Sequence, residues 1–358
     1  GPGAEAQSDG SVAIGANAIA ASSVAVGAGS QALGTNTTVG RPNDGAIRPD
    51  TRGAIPLNAF DTTSIGTYVQ DTVSLNEQLK LVGGLRFDHF KAGYADPNGN
   101  AFNISENLLS PRVGLIFQPS TTASYYASFG SSYNTSGDTY QYALGAFTPG
   151  SNNALLANTP PEKSRNFEIG GKFDLFENKA LLGVALFRSE KYNERNTDPD
   201  TVAGQYLLSG KRQATGMEFN LAGRFTPQWE VFYNHTWIPS ARIEAGATTG
   251  NAPRLGDRPG LTPKHSASLW TTYRVTQPLR LGLGLNYRSE QTPATSRVNV
   301  APAFTTVDAM AEYVISDRHT LKLNITNLTD KLYADSLYTG FYVPGAGRKV
   351  QLTLTSLF

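Results

Sequence analysis

The chain has 358 residues, of which 39% are apolar and 16% charged, and its formal net charge is +1. This charge balance excludes an electrostatic basis for binding nucleic acid, and the lack of cysteine excludes disulfides, thiolate zinc sites and cysteine nucleophiles. No run approaches the roughly 18 uncharged apolar residues of a membrane-spanning helix. Sixteen Tyr, 17 Phe and 36 Gly instead favour many short amphipathic strands.

Residues 1–10 are interpreted as a leader, because Gly1-Pro2 is typical of what remains after an expression tag is cleaved. Residues 11–40 form a repeat in which Val12-Ala-Ile-Gly15 recurs as Val24-Ala-Val-Gly27. Small residues with one aliphatic side chain per turn predict a tightly wound β-coil.

This repeat resembles the head repeats of trimeric autotransporter adhesins, a resemblance that implies a possible trimer through residues 11–40. The alternative is a flexible Gly/Ala/Ser leader. Residues 41–63 carry three prolines and little periodicity, so they are interpreted as a linker or an extracellular loop.

From residue 64 onward, apolar and polar residues alternate, as in Leu79-Lys80-Leu81 and Leu321-Lys322-Leu323. This period of two predicts about 13 strands with one apolar and one polar face. The predicted strands are 64–75, 79–91, 111–118, 122–133, 165–176, 180–192, 213–225, 229–242, 264–275, 279–289, 304–315, 319–329 and 348–358.

The connections between these strands alternate between short turns and long polar loops. Short turns at one end and long loops at the other are typical of an outer-membrane barrel. The sequence therefore predicts an all-β fold, an antiparallel transmembrane β-barrel of about 13 or 14 strands in residues 64–358, preceded by the short β-coil. A soluble β-sandwich is the alternative that shows the same alternation.

Several segments in this region resemble the C-terminal barrel half of TonB-dependent siderophore receptors. These are Tyr68-Val-Gln-Asp71 with Leu85-Arg-Phe-Asp88, Ser110-Pro-Arg-Val-Gly-Leu115, Pro161-Glu-Lys-Ser-Arg-Asn-Phe-Glu-Ile-Gly170, Thr262-Pro-Lys-His265 with Leu269-Trp270, Asn324-Ile-Thr-Asn-Leu-Thr-Asp-Lys-Leu-Tyr333 and Pro344-Gly-Ala-Gly-Arg348. The terminal aromatic Phe358 resembles the signal that the barrel-assembly machinery reads. The resemblance implies a bacterial outer-membrane location, contact with outer-membrane lipid and import of a ferric siderophore.

Members of that family have roughly 22 strands around an N-terminal plug, preceded by a segment that contacts TonB. No plug or TonB-contacting segment is recognised here, so TonB is not expected as a partner and the chain is expected not to transport by itself. Thirteen strands would close through a parallel pair of first and last strands, giving a water-filled pore of weak ion selectivity. The alternatives are a surface adhesin or structural fusion, and an engineered chimera that serves as a scaffold or antigen.

No enzymatic site is predicted. The four histidines, His89, His235, His265 and His319, are scattered in the sequence without metal-ligand spacing, so no metal site is expected, nor any cofactor besides a ferric siderophore as transported ligand.

Loop aromatics and cations are the candidates for binding that siderophore, because aromatics stack on planar chelates and arginine pairs with anionic complexes. The candidates are Tyr133, Tyr140, Tyr142, Arg254, Arg258, Tyr338 and Tyr342. A place in the interfacial aromatic girdle is the alternative for each tyrosine. The tail with Tyr333, Asp335 and Tyr338 resembles receptors for ferric catecholates.

Overall fold

The computed structural model describes six short strands between residues 5 and 39, and residues 59–95, 101–134, 161–197, 206–245, 254–294, 296–338 and 340–357. The chain divides into two compact units, Gly1–Pro56 and Leu57–Phe358. None of the described residues forms a helix long and apolar enough to cross a membrane.

The N-terminal unit contains two parallel three-stranded sheets, with the strand orders β1-β3-β5 and β2-β4-β6. Val12 pairs with Val24 and Ile14 with Val26, so the repeated motif stacks on itself in register. This parallel pairing is the backbone arrangement that the predicted β-coil requires. The strands are β1 (Glu5–Ala6), β2 (Val12–Ile14), β3 (Ile19–Ala20), β4 (Val24–Val26), β5 (Gln31–Ala32) and β6 (Thr38–Val39).

The second unit is built on one antiparallel sheet of 13 strands, in which each strand pairs with its neighbour in the chain and β18 pairs with β21. The strands are β7 (Ala59–Ser74), β8 (Leu79–Ala95), β9 (Ala101–Ser120), β10 (Ala123–Asn134), β11 (Glu162–Leu175), β12 (Ala180–Thr197), β13 (Tyr206–Arg224), β14 (Trp229–Ala245), β15 (His265–Arg274), β16 (Leu279–Arg288), β17 (Phe304–Ser316), β18 (His319–Thr326) and β21 (Lys349–Ser356). All 13 predicted strands are confirmed.

Several strands are longer than predicted at the end that carries the long loops. β8 and β9 continue until Ala95 pairs with Ala101, inside a predicted loop. β7 begins at Ala59, within the segment interpreted as a linker or loop. The alternation of apolar residues stops where a strand leaves the lipid, whereas the backbone ladder continues, so the pattern underestimates strand length. The hairpin β19 (Ala334–Leu337) and β20 (Tyr342–Pro344) also lies in a predicted loop.

The two faces of the large sheet differ as predicted. The inner face carries polar side chains such as Arg112, Glu168 and Lys172, which line a cavity. The outer face carries large apolar side chains that remain exposed, such as Ile169 and Leu186. An apolar face open to the surroundings and a polar face around a cavity are the arrangement of a membrane barrel wall.

The first and last strands of the sheet, β7 and β21, are its two edges. Within the described residues no ladder joins them, so the expected parallel pair between first and last strands is not formed. All but one residue of each edge strand is exposed, which shows that neither strand is covered on either face.

Candidate functional site

The candidate site is a cavity of about 1450 Å³ on the inner face of the sheet. Its wall includes Tyr68 of β7, Arg212 of β13, and Pro259 and Thr262 of the loop after β14. Residues from the first strand and from the loop after the eighth strand of the sheet line one cavity, which means that this part of the sheet curls round. The volume exceeds the range of roughly 300–1000 Å³ for drug-sized ligands, so a bulky chelate has room here.

Positive charge predominates on the cavity wall. Two of the inner-face groups are carboxylates, Asp88 and Glu168, and five are cations. The cations are Arg86, Arg112, Lys172, Lys191 and Arg212. Asp88 binds Arg86 at 2.6 Å, and Lys191 binds the buried Glu162 at the rim at 3.2 Å. The excess of cations makes the wall complementary to an anionic ligand.

A tyrosine is held in a fixed position on this wall. The Tyr126 hydroxyl donates a hydrogen bond to Glu168 Oε1 at 2.5 Å. Gly170 makes room for the ring, since a Cβ there would lie 2.7 Å from the Tyr126 hydroxyl oxygen. An aromatic ring oriented by a carboxylate can stack on a planar ligand. Tyr126 and Tyr68 were missed as ligand candidates, although their positions in the inner-face alternation are the signal that would have identified them.

A second polar array crosses the inner face near the short turns. We call it the inner ladder, and its members are Arg224, Glu230, Arg280, Glu312 and Lys322. Arg224 Nε donates to Glu230 Oε1 at 2.9 Å, and Arg280 lies 3.8 Å from the other oxygen of Glu230. Arg280 also contacts Glu312 at 2.9 Å, and Lys322 lies 4.0 Å from Glu312. Charges of alternating sign thus connect β13, β14, β16, β17 and β18, and the contact of Glu230 with Arg280 spans β15.

The predicted ligand residues do not come together in one place. Tyr133 pairs with Lys163 across β10 and β11, and the Lys163 ammonium lies 5.1 Å from the centre of the Tyr133 ring. By register this side chain belongs to the outer face, although Tyr133 also contributes to the rim of the cavity. The structure therefore gives Tyr133 a cation as its partner.

Arg254 and Arg258 lie together in the loop after β14. Arg254 is exposed, and its backbone N–H donates to Asp257. Arg258 Nη2 donates to the carbonyl oxygens of Ile238 at 2.8 Å and Pro239 at 3.2 Å. Burial lowers the pKa of the Arg258 guanidinium. These bonds fasten the loop to β14, so the structure favours a positioning role for Arg258.

Tyr338 and Tyr342 lie on the β19–β20 hairpin, where both are exposed. The Tyr338 ring stacks on Phe341 at 4.7 Å. Tyr140, Tyr142 and Phe358 lie outside the described residues. The ligand roles of all seven candidates, and the role of Phe358 in assembly, stay predictions.

The tail segments that carry the resemblance to siderophore receptors have structural partners. The Asn327 amide nitrogen donates to the carbonyl oxygens of Lys331 and Ala346, at 2.9 and 3.0 Å, which ties the end of β18 to the segment before β21. Tyr333 packs over Gly345, where a Cβ would lie 1.9 Å from the ring. The glycine is required because the ring passes directly over the backbone.

Two of the four histidines, which lie far apart in the sequence, meet in space. His235 Nε2 lies 3.1 Å from His265 Nδ1, and the His265 ring stacks on Trp237 at 6.2 Å. Adjacent strands β14 and β15 bring them together on the outer face. Among the described residues no group of three His, Asp or Glu side chains has metal-site geometry.

Residues 7–328 match the protein family described as TonB dependent receptor-like, beta-barrel. The match thus includes the repeat segment as well as most of the large sheet. The resemblance recognised in residues 64–358 is confirmed at the level of the family. The resemblance to adhesin head repeats has no counterpart in these comparisons.

Individual receptors show the same likeness. The probable TonB-dependent receptor BfrD of Bordetella pertussis (strain Tohama I) is 30% identical over 312 residues, covering 82% of this chain and 40% of BfrD. The catecholate siderophore receptor Fiu of Escherichia coli (strain K12) is 28% identical over 350 residues, covering 88% of this chain and 44% of Fiu.

The crystal structure of the siderophore receptor PiuA from Acinetobacter baumannii superposes with a TM-score of 0.71 and 28% identity, covering 83% of this chain and 44% of PiuA. The chain thus spans less than half the length of each of these three relatives. All three are receptors, in agreement with the prediction that the chain is not an enzyme.

Proposed function

The chain belongs to the TonB-dependent receptor β-barrel family, whose members are bacterial outer-membrane proteins, and we propose that it serves in uptake of a ferric siderophore. The observation that carries the proposal is the excess of cations on the wall of the inner cavity. Ferric complexes of catecholates are anionic and aromatic, so a wall with arginine, lysine and oriented tyrosine suits them.

The catecholate class is the more specific part of this proposal. Its support is the similarity to Fiu, a catecholate siderophore receptor, together with Tyr126 and Tyr68 on the cationic wall. Arg112, which contacts Gln70 at 3.2 Å, and the exposed Lys172 are the inner-face cations chosen for testing.

Binding of a ferric tris-catecholate to the folded chain in detergent tests the proposal, with quenching of tryptophan fluorescence as the readout. We expect the double variant Arg112→Gln, Lys172→Gln to bind at least tenfold more weakly than the wild type. The matched control is Lys163→Gln, Arg242→Gln, which removes equal charge from outer-face residues that do not line the cavity and should bind within twofold of the wild type.

A ferric tris-hydroxamate, which lacks the negative charge, should bind weakly to wild type and be insensitive to the inner-face substitutions. Two outcomes would refute the cavity as the siderophore site. One is an equal loss of affinity in the two double variants, and the other is equal affinity of the wild type for the two chelates. The expectations that the chain does not transport by itself and does not engage TonB remain untested predictions.

A second candidate function is a surface adhesin or structural role that uses residues 11–40. The parallel pairing of Val12 with Val24 favours it, because stacked coils of this kind can associate between chains. The family match that begins at residue 7 favours the receptor instead. Light scattering of the full chain and of a chain without residues 1–40 discriminates: a threefold drop in mass supports the trimer, and an unchanged mass rules it out.

A further inference from the structure

A group of charged side chains lies on the outer face of the sheet, at the end that carries the long loops. We call it the outer cluster, and its members are Lys163, Arg165, Arg188, Glu190, Lys211, Arg242 and Glu244. It belongs to strands β11–β14, and the strand register places its side chains on the outer face, although Arg165 and Glu190 also border the cavity. Siderophore binding in the cavity therefore does not account for the cluster as a whole.

The strand register places these residues on the outer face. Arg165 pairs with Glu190, Glu190 with Gln213, and Gln213 with Arg242, so they form one lateral row. Two rows closer to the short turns, the same face carries Ile169, Leu186, Met217 and Trp237, which pair in the same way. Residues two apart on a strand share a face. The row with Arg165 and Arg242 therefore continues the lipid-facing surface.

The row lies where the apolar band of a membrane barrel ends. Ten residues of β12 separate Ala180, next to a short turn, from Glu190. With a rise of about 3.3 Å per residue and a strand tilt of about 40°, they span roughly 25 Å along the membrane normal. The apolar band of such barrels is also about 25 Å tall. The outer cluster is thus at the level of the lipid headgroups of the outer leaflet.

Cations outnumber carboxylates in the outer cluster, and both carboxylates are already paired. Arg188 binds Glu190 at 2.7 Å, and Lys211 binds Glu244 at 2.5 Å. Within the part of the chain that the structure describes, Lys163, Arg165 and Arg242 form no ion pair. Three positive charges on the lipid-facing surface therefore have no counter-ion from the described residues.

Aromatic rings hold two of these cations in place. The Lys163 ammonium lies 5.1 Å from the centre of the Tyr133 ring, and the Arg165 guanidinium lies 5.1 Å from that of Tyr192. Lys211 is at the same distance from the Tyr192 ring. Because a cation–π contact orders a cation without neutralising it, the charges remain available to an anion.

Single lysines and arginines at a membrane boundary commonly extend toward the headgroups without binding a particular lipid. The distribution on this sheet is different. The outer-face positions of β16, β17, β18 and β21 contain no lysine or arginine, as their registers show. The outer-face cations of β11–β14 are thus gathered on one sector of the wall, whereas Lys91 of β8, opposite Ser105, is a single exposed cation.

We propose that the outer cluster is a binding site for the phosphate groups of a phosphorylated glycolipid of the lipid A type in the outer leaflet. Its position on the lipid-facing surface and at headgroup height selects a lipid as the source of the phosphate. Arginine suits this chemistry because its planar guanidinium donates two parallel hydrogen bonds to a phosphate.

The test titrates the folded chain in detergent with bisphosphorylated lipid A and measures bound lipid by native mass spectrometry. The variant Lys163→Gln, Arg165→Gln, Arg242→Gln should bind at least tenfold more weakly. The matched control Arg112→Gln, Lys172→Gln, Lys322→Gln loses the same charge from the inner face and should stay within twofold of the wild type. Equal weakening in both triple variants would overturn the proposal.

Two further ligands show which part of lipid A the outer cluster binds. Lipid A without phosphates should bind at least tenfold more weakly to the wild type, and equal binding would show that only the acyl chains matter. Inorganic phosphate should compete only at millimolar concentration or above, and competition as strong as that of lipid A would show a general anion site.

A charge-keeping variant separates charge from folding. Lys163→Arg, Arg165→Lys, Arg242→Lys should retain lipid binding within about threefold, and a loss as large as in the glutamine variant would reject the role of charge. Heat-modifiable migration and strand-rich circular dichroism verify that each variant is folded. Binding of the ferric tris-catecholate should be unchanged in the double variant Lys163→Gln, Arg242→Gln, because neither residue lines the cavity. Failure of this proposal is therefore distinguishable from failure of the siderophore proposal.

Discussion

The inner ladder and the outer cluster lie on the same sheet but balance their charges differently. In the inner ladder each carboxylate lies between two cations of other strands, with Glu230 between Arg224 and Arg280 and Glu312 between Arg280 and Lys322. In the outer cluster two carboxylates accompany five cations, and three of these cations remain without an ion pair among the described residues.

This difference in charge balance indicates that the inner ladder stabilises the fold, whereas the outer cluster has charges available to a ligand. Alternating signs across adjacent strands compensate one another and hold the strands in register. An uncompensated excess of one sign costs stability through repulsion and is favourable once a ligand of opposite charge binds. Removing a carboxylate should therefore lower the free energy of unfolding in the inner ladder, but raise the affinity for an anionic ligand in the outer cluster.

The largest effect is expected at Glu230 in the inner ladder. The Glu230 side chain is only 23% exposed, and it accepts hydrogen bonds from Arg224 and from Thr272 Oγ1, the latter at 3.1 Å. Glu230→Ala leaves these donors and Arg280 without their acceptor. We expect the free energy of unfolding to fall by about 2 kcal/mol, as measured by guanidinium titration in detergent.

Glu244→Ala is the matched control for Glu230→Ala, because Glu244 has one cation partner, Lys211, and lies on the outer face. Its effect on the free energy of unfolding should be less than half as large. If the two alanine variants are equally destabilised, the inner ladder has no special structural role.

At Glu190 in the outer cluster, loss of the negative charge is expected to increase the affinity for the lipid phosphate. Glu190→Gln removes a negative charge but keeps an acceptor for the Tyr192 hydroxyl, which now donates to the carboxylate. One unit of charge several ångströms from a bound phosphate changes its energy modestly in a water-like dielectric. Affinity for bisphosphorylated lipid A should rise about threefold by native mass spectrometry, whereas weaker binding would contradict the site.

The smallest effect is expected at the end of the inner ladder. Lys322 is 42% exposed and lies 4.0 Å from Glu312, which also has Arg280 as a partner. Exposed pairs at such distances contribute little. Lys322→Gln should change the free energy of unfolding by less than about 0.5 kcal/mol, and a change near that of Glu230→Ala would show that the ladder acts as one coupled unit.

The sequence alone determined the number of strands, their order and the face of most side chains. Alternation such as Leu79-Lys80-Leu81 is a local property, since successive side chains of a strand point to opposite faces. The polar character of the cavity wall, including Arg86, Glu168 and Lys172, could therefore be predicted. The ligand residues proposed on loops could not be tested in the same way, because loop conformation has no such period.

Only the tertiary structure decided which charged residues lie side by side. Between Thr215 and Met217 the pairing of β13 with β14 shifts, from Thr215 opposite Ser240 to Met217 opposite Trp237. This bulge reverses the alternation along β14, so that Arg242 shares the outer face with Trp237, although the two are five positions apart. Uninterrupted alternation would have placed Arg242 on the inner face. The site proposed for the lipid phosphate depends on strand register, which contacts between distant parts of the chain determine.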